Sequence, residues 1–239
     1  MRIALLGYGR MGREVEYAAV AGGHSVIVRT DINNPGDFDE DAASGCDVAI
    51  EFSGPEAAAD NIIRALSFGV PVVSGSTGWL ARYDEVFRLC NEKNGSFIHS
   101  SNYSIGVNIL FRLNTELARL LDLLPDYRAA IEETHHVKKL DAPSGTAITL
   151  AGGIAGQHHA YDGWQIAGER AGPEKIPVTS VREGTVPGIH TVTWTSDADI
   201  ITLKHEALNR KGFAAGALLA AGFISTRKGV FTMADVLSI

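Results

Sequence analysis

The chain has 239 residues, with 21 basic against 28 acidic side chains and a formal net charge of −7. That length suits one large domain or two modest ones with a real core, and the mild acidity argues against a nucleic-acid binder held by phosphate contacts. Cys46 and Cys90 form neither a CxxC pair nor a disulfide framework, no apolar run reaches the roughly 18 residues of a membrane span, and the N-terminus enters an apolar strand rather than a signal peptide, so a cytoplasmic protein is expected.

The first 104 residues alternate short apolar runs with amphipathic stretches. Arg2–Leu6 reads as a buried strand, Met11–Val20 as a helix and His24–Val28 as a second strand. Val48–Phe52 is a third strand, Ala57–Phe68 a helix, Pro71–Val73 a strand, Leu80–Asn91 a helix and Phe97–His99 a strand. This alternation predicts a Rossmann-like parallel sheet with helices on both faces, an α/β architecture. Asp31 to Gly45 is acidic, without periodicity, and reads as a loop. After Ser104 the style changes. Ile105–Leu121 is a long amphipathic helix, Tyr127–Thr134 a strand, and Ser144 opens a helix running to about His158. Val178–Val181, His190–Thr195 and Ile200–His205 follow as strands with almost no helix between them, which predicts a mixed or antiparallel sheet in an α+β domain. Phe213–Ile224 is a small-residue helix, before a turn and Met233–Ile239. The expected division is residues 1–104 plus 211–239 for a dinucleotide domain and 105–210 for substrate binding and oligomerisation.

Gly7-Tyr8-Gly9-Arg10-Met11-Gly12 is a GxGxxG between a strand and a helix. In that context the first glycine makes the turn, the second admits a pyrophosphate and the third packs helix on strand. The helix N-terminus offers amides and a positive dipole end to phosphate. Asp31, 19 residues beyond Gly12, is placed to bind the adenosine ribose, which favours NADH. Arg29 lies two residues earlier and offers a phosphate partner, so NADPH stays open. Phe52-Ser53-Gly54-Pro55, Gly75-Ser76-Thr77-Gly78 and Ser100-Ser101-Asn102-Tyr103-Ser104 each follow a strand, at the edge where open α/β sheets bind ligands. They complete the expected cofactor surface.

The densest chemistry is the stretch from Glu132 to Ala147, which carries His135-His136, Lys138-Lys139 and Asp141 just before a helix start. Ser144 is a plausible N-cap, so Gly145 and Thr146 present amides suited to a substrate carboxylate. Lys139 offers a cation or a proton, and His135 a proton near neutral pH. Asp141 reads as a turn-former that orients Lys139. The adjacent histidines could be a metal pair, but no third ligand stands at helical spacing, so no metal is expected. A solvated loop would carry the same residues, and His158-His159 reads as such a surface pair.

With HHVKKLDAPSGTA, GYGRMG, EFSGPEA, SGSTGW, SNYSIGVN, VREGTVPGIHT and FTMADVL in order, the chain resembles the 4-hydroxy-tetrahydrodipicolinate (dihydrodipicolinate) reductases of diaminopimelate and lysine biosynthesis. The resemblance covers almost the whole chain. It implies a homotetramer and hydride transfer from NADH or NADPH to C4 of a cyclic dicarboxylated imine. It also implies roles for particular residues. His135 matches the proton donor and Lys139 the second catalytic cation. His136, Ser144, Gly145, Thr146 and Thr77 match substrate contacts. Gly75, Ser76 and Thr77 match the nicotinamide loop, Ser100, Ser101, Asn102 and Tyr103 a cofactor loop, and Arg210 a residue near hinge and cofactor. Phe52 and Ser53 join the expected cofactor contacts. Many members have GxxGxxG where this chain has GxGxxG, and Asp31 to Val48 is shorter than usual. Ile32-Asn33-Asn34 stands where the family often has arginine after its ribose acid, which bears on NADPH use. The same cationic stretch would suit another cyclic imine or amino-acid derivative, and a non-enzymatic dinucleotide sensor would need a partner module that the sequence does not display.

Overall fold

Strand β1 (Arg2–Leu6) is buried at four of its five positions, as an apolar run covered on both faces requires. The structure is a computed structural model that describes residues 1–124, 126–168 and 172–239. It divides into two compact units, residues 1–105 with 210–239 and residues 106–209.

In the first unit, β1 leads through the glycine turn into α1 (Arg10–Ala21), then β2 (Ser25–Thr30). After β2 come a 3₁₀ turn at Pro35–Asp37 and the short helix α2 (Glu40–Ser44), which Asp39 caps by accepting from Ala42 N. The stretch read as a plain loop therefore holds a helix. Five residues are too few to show a 3.6-residue period, and the capping aspartate was its only signal. β3 (Val48–Glu51), α3 (Pro55–Ser67), β4 (Val72–Ser74), α4 (Tyr83–Glu92) and β5 (Ser96–His99) follow. The predicted helix from Leu80 is a 3₁₀ turn at Leu80–Arg82 and then α4.

The second unit begins within α5 (Ile105–Leu121). It continues with β6 (Arg128–His135), α6 (Gly145–Ala155), β7 (Gly163–Ile166), β8 (Lys175–Arg182), β9 (Ile189–Thr195) and β10 (Ile200–Glu206). The chain then returns to the first unit as α7 (Lys211–Ile224), β11 (Gly229–Phe231) and α8 (Met233–Leu237).

The first sheet has the order β11-β5-β4-β3-β1-β2, and every pairing in it is parallel. Between β1 and β3 the winding reverses, which is the place where such sheets open a ligand crevice. Ala58, Ile62 and Val86, from α3 and α4, pack on one face. Val15 and Ala19 from α1, with the alanines of α7, pack on the other. The small residues of α7 have a reason. A Cβ on Gly216 would lie 1.7 Å from the Tyr103 carbonyl oxygen, so the helix can approach only without one.

The second sheet, β10-β9-β6-β8-β7, is mixed: β6 runs antiparallel to β9 and parallel to β8. Ile131, Val178, Val192 and Trp194 point to the face that Leu150 and Ile154 of α6 cover. No strand is expected from the sequence pattern at β7 or β11. Both have only three or four residues, none of them buried, so neither alternation nor apolarity marks them. His158 also differs from expectation. It is 3% exposed and packs against Tyr161 and Trp194, with ring centroids 5.1 and 5.2 Å away. Only His159, paired to Asp122 at 2.6 Å, lies at the surface as expected.

Candidate active site

The glycine loop is shaped by its own backbone. Gly7 N and Tyr8 N both donate to Thr30 O at 2.9 Å, which ties the loop to the end of β2. Gly7 has φ +105°, and a Cβ there would meet the Phe52 carbonyl carbon at 2.4 Å. A Cβ on Gly12 would meet Gly7 O at 2.4 Å. A Cβ on Gly9, the N-cap of α1, would meet nothing within 4 Å. Two of the three glycines thus serve packing, and Gly9 leaves open space at a helix N-terminus, where an anion is stabilised. Arg10 and Met11 open that helix. Gly7, Tyr8, Gly9, Asp31, Phe52 and Ser53 line one cavity of about 410 Å³. Six of the predicted cofactor residues therefore meet at the sheet's switch point, a fit for a dinucleotide. Asp31 is exposed, and its Oδ1 accepts from Asn33 N at 2.7 Å, which fixes the turn after β2.

The neighbouring loops are joined by a residue the sequence reading did not single out. Glu51, the last residue of β3, is fully buried. Its carboxylate accepts from Ser53 N (2.7 Å), Ser53 Oγ (2.6 Å), Ser76 Oγ (2.6 Å) and Ser74 Oγ (2.7 Å). One acid therefore sets the positions of both the Phe52–Ser53 and the Gly75–Thr77 loops. Gly75 is also explained differently than expected. A Cβ there would sit 2.1 Å from the Phe52 ring, so the ring this glycine admits is the protein's own. Thr77 stands exposed beyond it. In the last loop, Ser100 Oγ donates to Asn102 O and Asn102 Oδ1 accepts from Ser104 N, while Ser101 is half-buried. Tyr103 departs from its expected role. Its side chain is 2% exposed and its hydroxyl donates to Ser74 O at 2.8 Å, so the ring is a core pin and no cofactor surface. Arg210 is the N-cap residue of α7, at the point where the chain re-enters the first unit.

In the second unit the predicted residues gather around another buried acid, Glu133. Alternation along β6 points Ile131, Glu133 and His135 to one face. Glu133 is fully buried. It accepts from Ser144 N (3.1 Å), Ser180 Oγ (2.8 Å) and Arg182 Nη2 (3.2 Å). His135 Nδ1 lies 3.3 Å from Glu133 Oε2, and His190 Nε2 lies 3.8 Å from the same oxygen. Burial opposes ionisation of this carboxyl, but the groups facing it from His135, Ser144 and Ser180 outweigh that and hold it well below the usual range. His190 is pushed down to about 3 by burial first and then by His135, so its imidazole is neutral. Its Nε2 is 3.2 Å from Ser144 Oγ. A Cβ at Gly188 would lie 3.1 Å from His135 Nε2, so a glycine keeps that nitrogen's approach clear.

Ser144 caps α6, its Oγ accepting from Ala147 N at 3.2 Å, and Gly145 and Thr146 form the first turn, as expected. Lys139 Nζ pairs with Asp141 at 2.8 Å, the orienting contact read from the sequence. Arg182 holds the intervening loop through Asp141 O (2.6 Å) and Lys139 O (3.4 Å). His136 is half-buried, and its amide donates to Val186 O at 2.8 Å. The adjacent histidines are therefore not a pair in space: His135 meets His190 instead. Glu133, His135 and His190 present three ligand atoms within 4.8 Å, which the spacing argument against a third ligand did not foresee. The Arg182 guanidinium on the same carboxylate opposes a second cation there, and the cluster suits proton handling better.

Comparison with known proteins settles the family. Residues 1–103 match the description "Dihydrodipicolinate reductase, N-terminus" and residues 106–237 "Dihydrodipicolinate reductase, C-terminus". The chain belongs to the dihydrodipicolinate reductase family. It is therefore an oxidoreductase of the NAD(P)H-dependent kind. A 4-hydroxy-tetrahydrodipicolinate reductase of Christiangramia forsetii is 46% identical over 100% of this chain and 98% of its own length. One of Rickettsia rickettsii is 36% identical over 87% of this chain and 85% of its own. A dipicolinate-bound dihydrodipicolinate reductase from a Paenisporosarcina species shares the fold, with a TM-score of 0.75 at 21% identity over 97% of each chain. A probable dehydrogenase of Thermotoga maritima does so at TM-score 0.62 and 10% identity, over 99% of this chain and 92% of its own.

Within this reductase, Glu51, Glu133, Arg182 and His190 were missed as a group. All four stand inside segments already quoted, but no local pattern says that an acid on a strand is buried. His190 and Gly188 become neighbours of His135 only through the pairing of β6 with β9. No helix among the described residues is long and apolar enough to cross a membrane.

Proposed function

We propose that the chain reduces 4-hydroxy-tetrahydrodipicolinate to tetrahydrodipicolinate in diaminopimelate and lysine biosynthesis, with NADH as the preferred reductant. A bound nicotinamide dinucleotide supplies the hydride. The Gly9–Met11 turn and α1 N-terminus hold its pyrophosphate, Asp31 holds the adenosine ribose, and the Gly75–Thr77 loop, fixed by Glu51, positions the nicotinamide end. Phe52, Ser53 and the Ser100–Asn102 loop border the same cofactor, with Arg210 at the start of α7.

One substrate carboxylate docks on the amides of Gly145 and Thr146 at the start of α6, and Lys139 and His136 meet the other. Water leaves from C4, hydride adds there, and His135 delivers a proton to C3 of the conjugated system. Glu133 orients the His135 ring and balances the imidazolium charge, while neutral His190 keeps a second positive charge away from it. Lys139, aimed by Asp141, stabilises negative charge as it develops. Self-association into a homotetramer belongs to the same reading, and light scattering on the purified chain reads it directly.

The observation that supports this reading is the buried carboxylate of Glu133, which reaches both the imidazole of His135 and the amide of Ser144 at the start of α6. The test is loss of nicotinamide absorbance when the protein meets NADH and substrate freshly made from pyruvate and aspartate semialdehyde. Turnover is expected with NADH and slower turnover with NADPH. No turnover with either would overturn the substrate assignment.

A further inference from the structure

Arg29 is the one cation on β2 that could serve a dinucleotide carrying an extra phosphate. It lies two residues before Asp31, which follows directly on the end of β2, and both residues are exposed. In the structure Arg29 is already engaged. Its Nε donates to Glu16 Oε1 at 2.8 Å, and its Nη2 donates to the same oxygen. The other Glu16 oxygen accepts from the Tyr8 hydroxyl. Glu16 stands on α1, and its side chain is only 20% exposed. The Arg29 guanidinium lies 6.0 Å from the Tyr8 ring centroid, and Arg13 approaches the same ring at 5.6 Å. Tyr8 and Asp31 both line the cavity described above. The cluster thus borders the end of the cavity where the adenosine ribose is placed.

We propose that Glu16 is a specificity-determining residue: by occupying Arg29 and anchoring it through Tyr8, it denies the 2′-phosphate of NADPH a cationic partner. This rests on the dinucleotide reading of the cavity and goes beyond it, because the sequence's reasons to favour NADH were Asp31 and the lack of an arginine directly after it. The physical logic is competition for one guanidinium. A carboxylate that already takes two N–H bonds from Arg29 must give them up before a phosphate can have them. With the pair intact, Glu16 neutralises Arg29 near the exposed Asp31, which disfavours a dianion. With Glu16 neutral, the Arg29 charge is released for a phosphate.

The test is direct titration of NADH and NADPH, followed by nicotinamide fluorescence, on the full-length wild-type protein, Glu16→Gln, Arg29→Ala and the double variant. Glutamine keeps the side-chain length and still accepts from Tyr8. In Glu16→Gln the NADPH dissociation constant should fall about five-fold relative to that for NADH, the scale of an exposed charge-assisted contact. Arg29→Ala should leave the ratio near the wild-type value, and the double variant should lose the gain. An unmoved ratio in a folded Glu16→Gln protein, judged by its thermal melt, overturns the inference. So does a gain that survives in the double variant, since bulk charge and not Arg29 would then set the preference. Failure of the wild-type chain to bind either nucleotide would overturn the dinucleotide reading itself, and this inference with it.

Discussion

Among the described residues, each unit of the molecule buries one glutamate completely near the end of a strand, and the two are surrounded by different chemistry. Glu51 is met by three hydroxyls and one amide, all neutral donors. Glu133 is met by a guanidinium and two imidazoles besides its serines. Neutral donors do not titrate near neutral pH. They can hold loops in place but cannot exchange a proton with a substrate. Imidazoles can do both. The first acid is thus a clamp on two loops, and the second has the surroundings that the proposed acid–base chemistry needs.

The sharpest way to break this contrast is at His135 itself. His135→Gln should lower kcat by about a hundred- to a thousand-fold, within the range for a lost general acid, with little change in KM. Steady-state kinetics showing normal kcat would remove the acid role. Glu133→Gln keeps the shape but removes the charge facing His135. It should cost about ten- to a hundred-fold in kcat and move the pH–rate profile, because the imidazolium loses its counter-charge. A profile identical in shape to the wild type would make Glu133 merely structural.

Glu51→Gln should act in the other register. KM for the dinucleotide should rise several-fold with a smaller effect on kcat, and the protein should lose about 1–2 kcal/mol, or about 2–6 °C in Tm. A kcat-dominated defect would mean that the two glutamates are not different in kind.

The smallest effect concerns pH and stability. His190 has its folded pKa lowered to about 3 from 6.5. As pH falls below 6.5, the unfolded chain takes up a proton that the folded protein refuses, so stability declines between those values. Burial pushes His99, His158 and His205 the same way, so the slope must be read as a difference. Melting temperatures of His190→Gln should fall less steeply than those of the wild type from pH 6.5 to 4. Parallel curves would argue against a neutral, buried His190.

Local patterns carried much of the fold and half of the site. The strand–helix rhythm of residues 1–104 was legible because fully buried strands are apolar throughout and glycine turns punctuate them. Ser144 as N-cap and Lys139 beside Asp141 were legible because those contacts span only a few residues. The strands Gly163–Ile166 and Gly229–Phe231 were not, since each is short and without a buried position. His158 and His159 show the same limit in one dipeptide. Identical neighbours in sequence end up in the core and at the surface, and only the position of Trp194 and Tyr161 decides which.

The sequence by itself determined the GxGxxG turn, the parallel sheet it feeds and the His135–Thr146 stretch, because short-range geometry and composition dictate them. Tertiary structure alone decided that Glu51 and Glu133 are buried, that His135 faces His190 instead of His136, that Gly75 makes room for Phe52, and that Arg29 is already held by Glu16. Each of these depends on residues brought together from distant strands, loops or helices. A side chain's charge and partners are set by what packs on it, and no spacing along the chain records that.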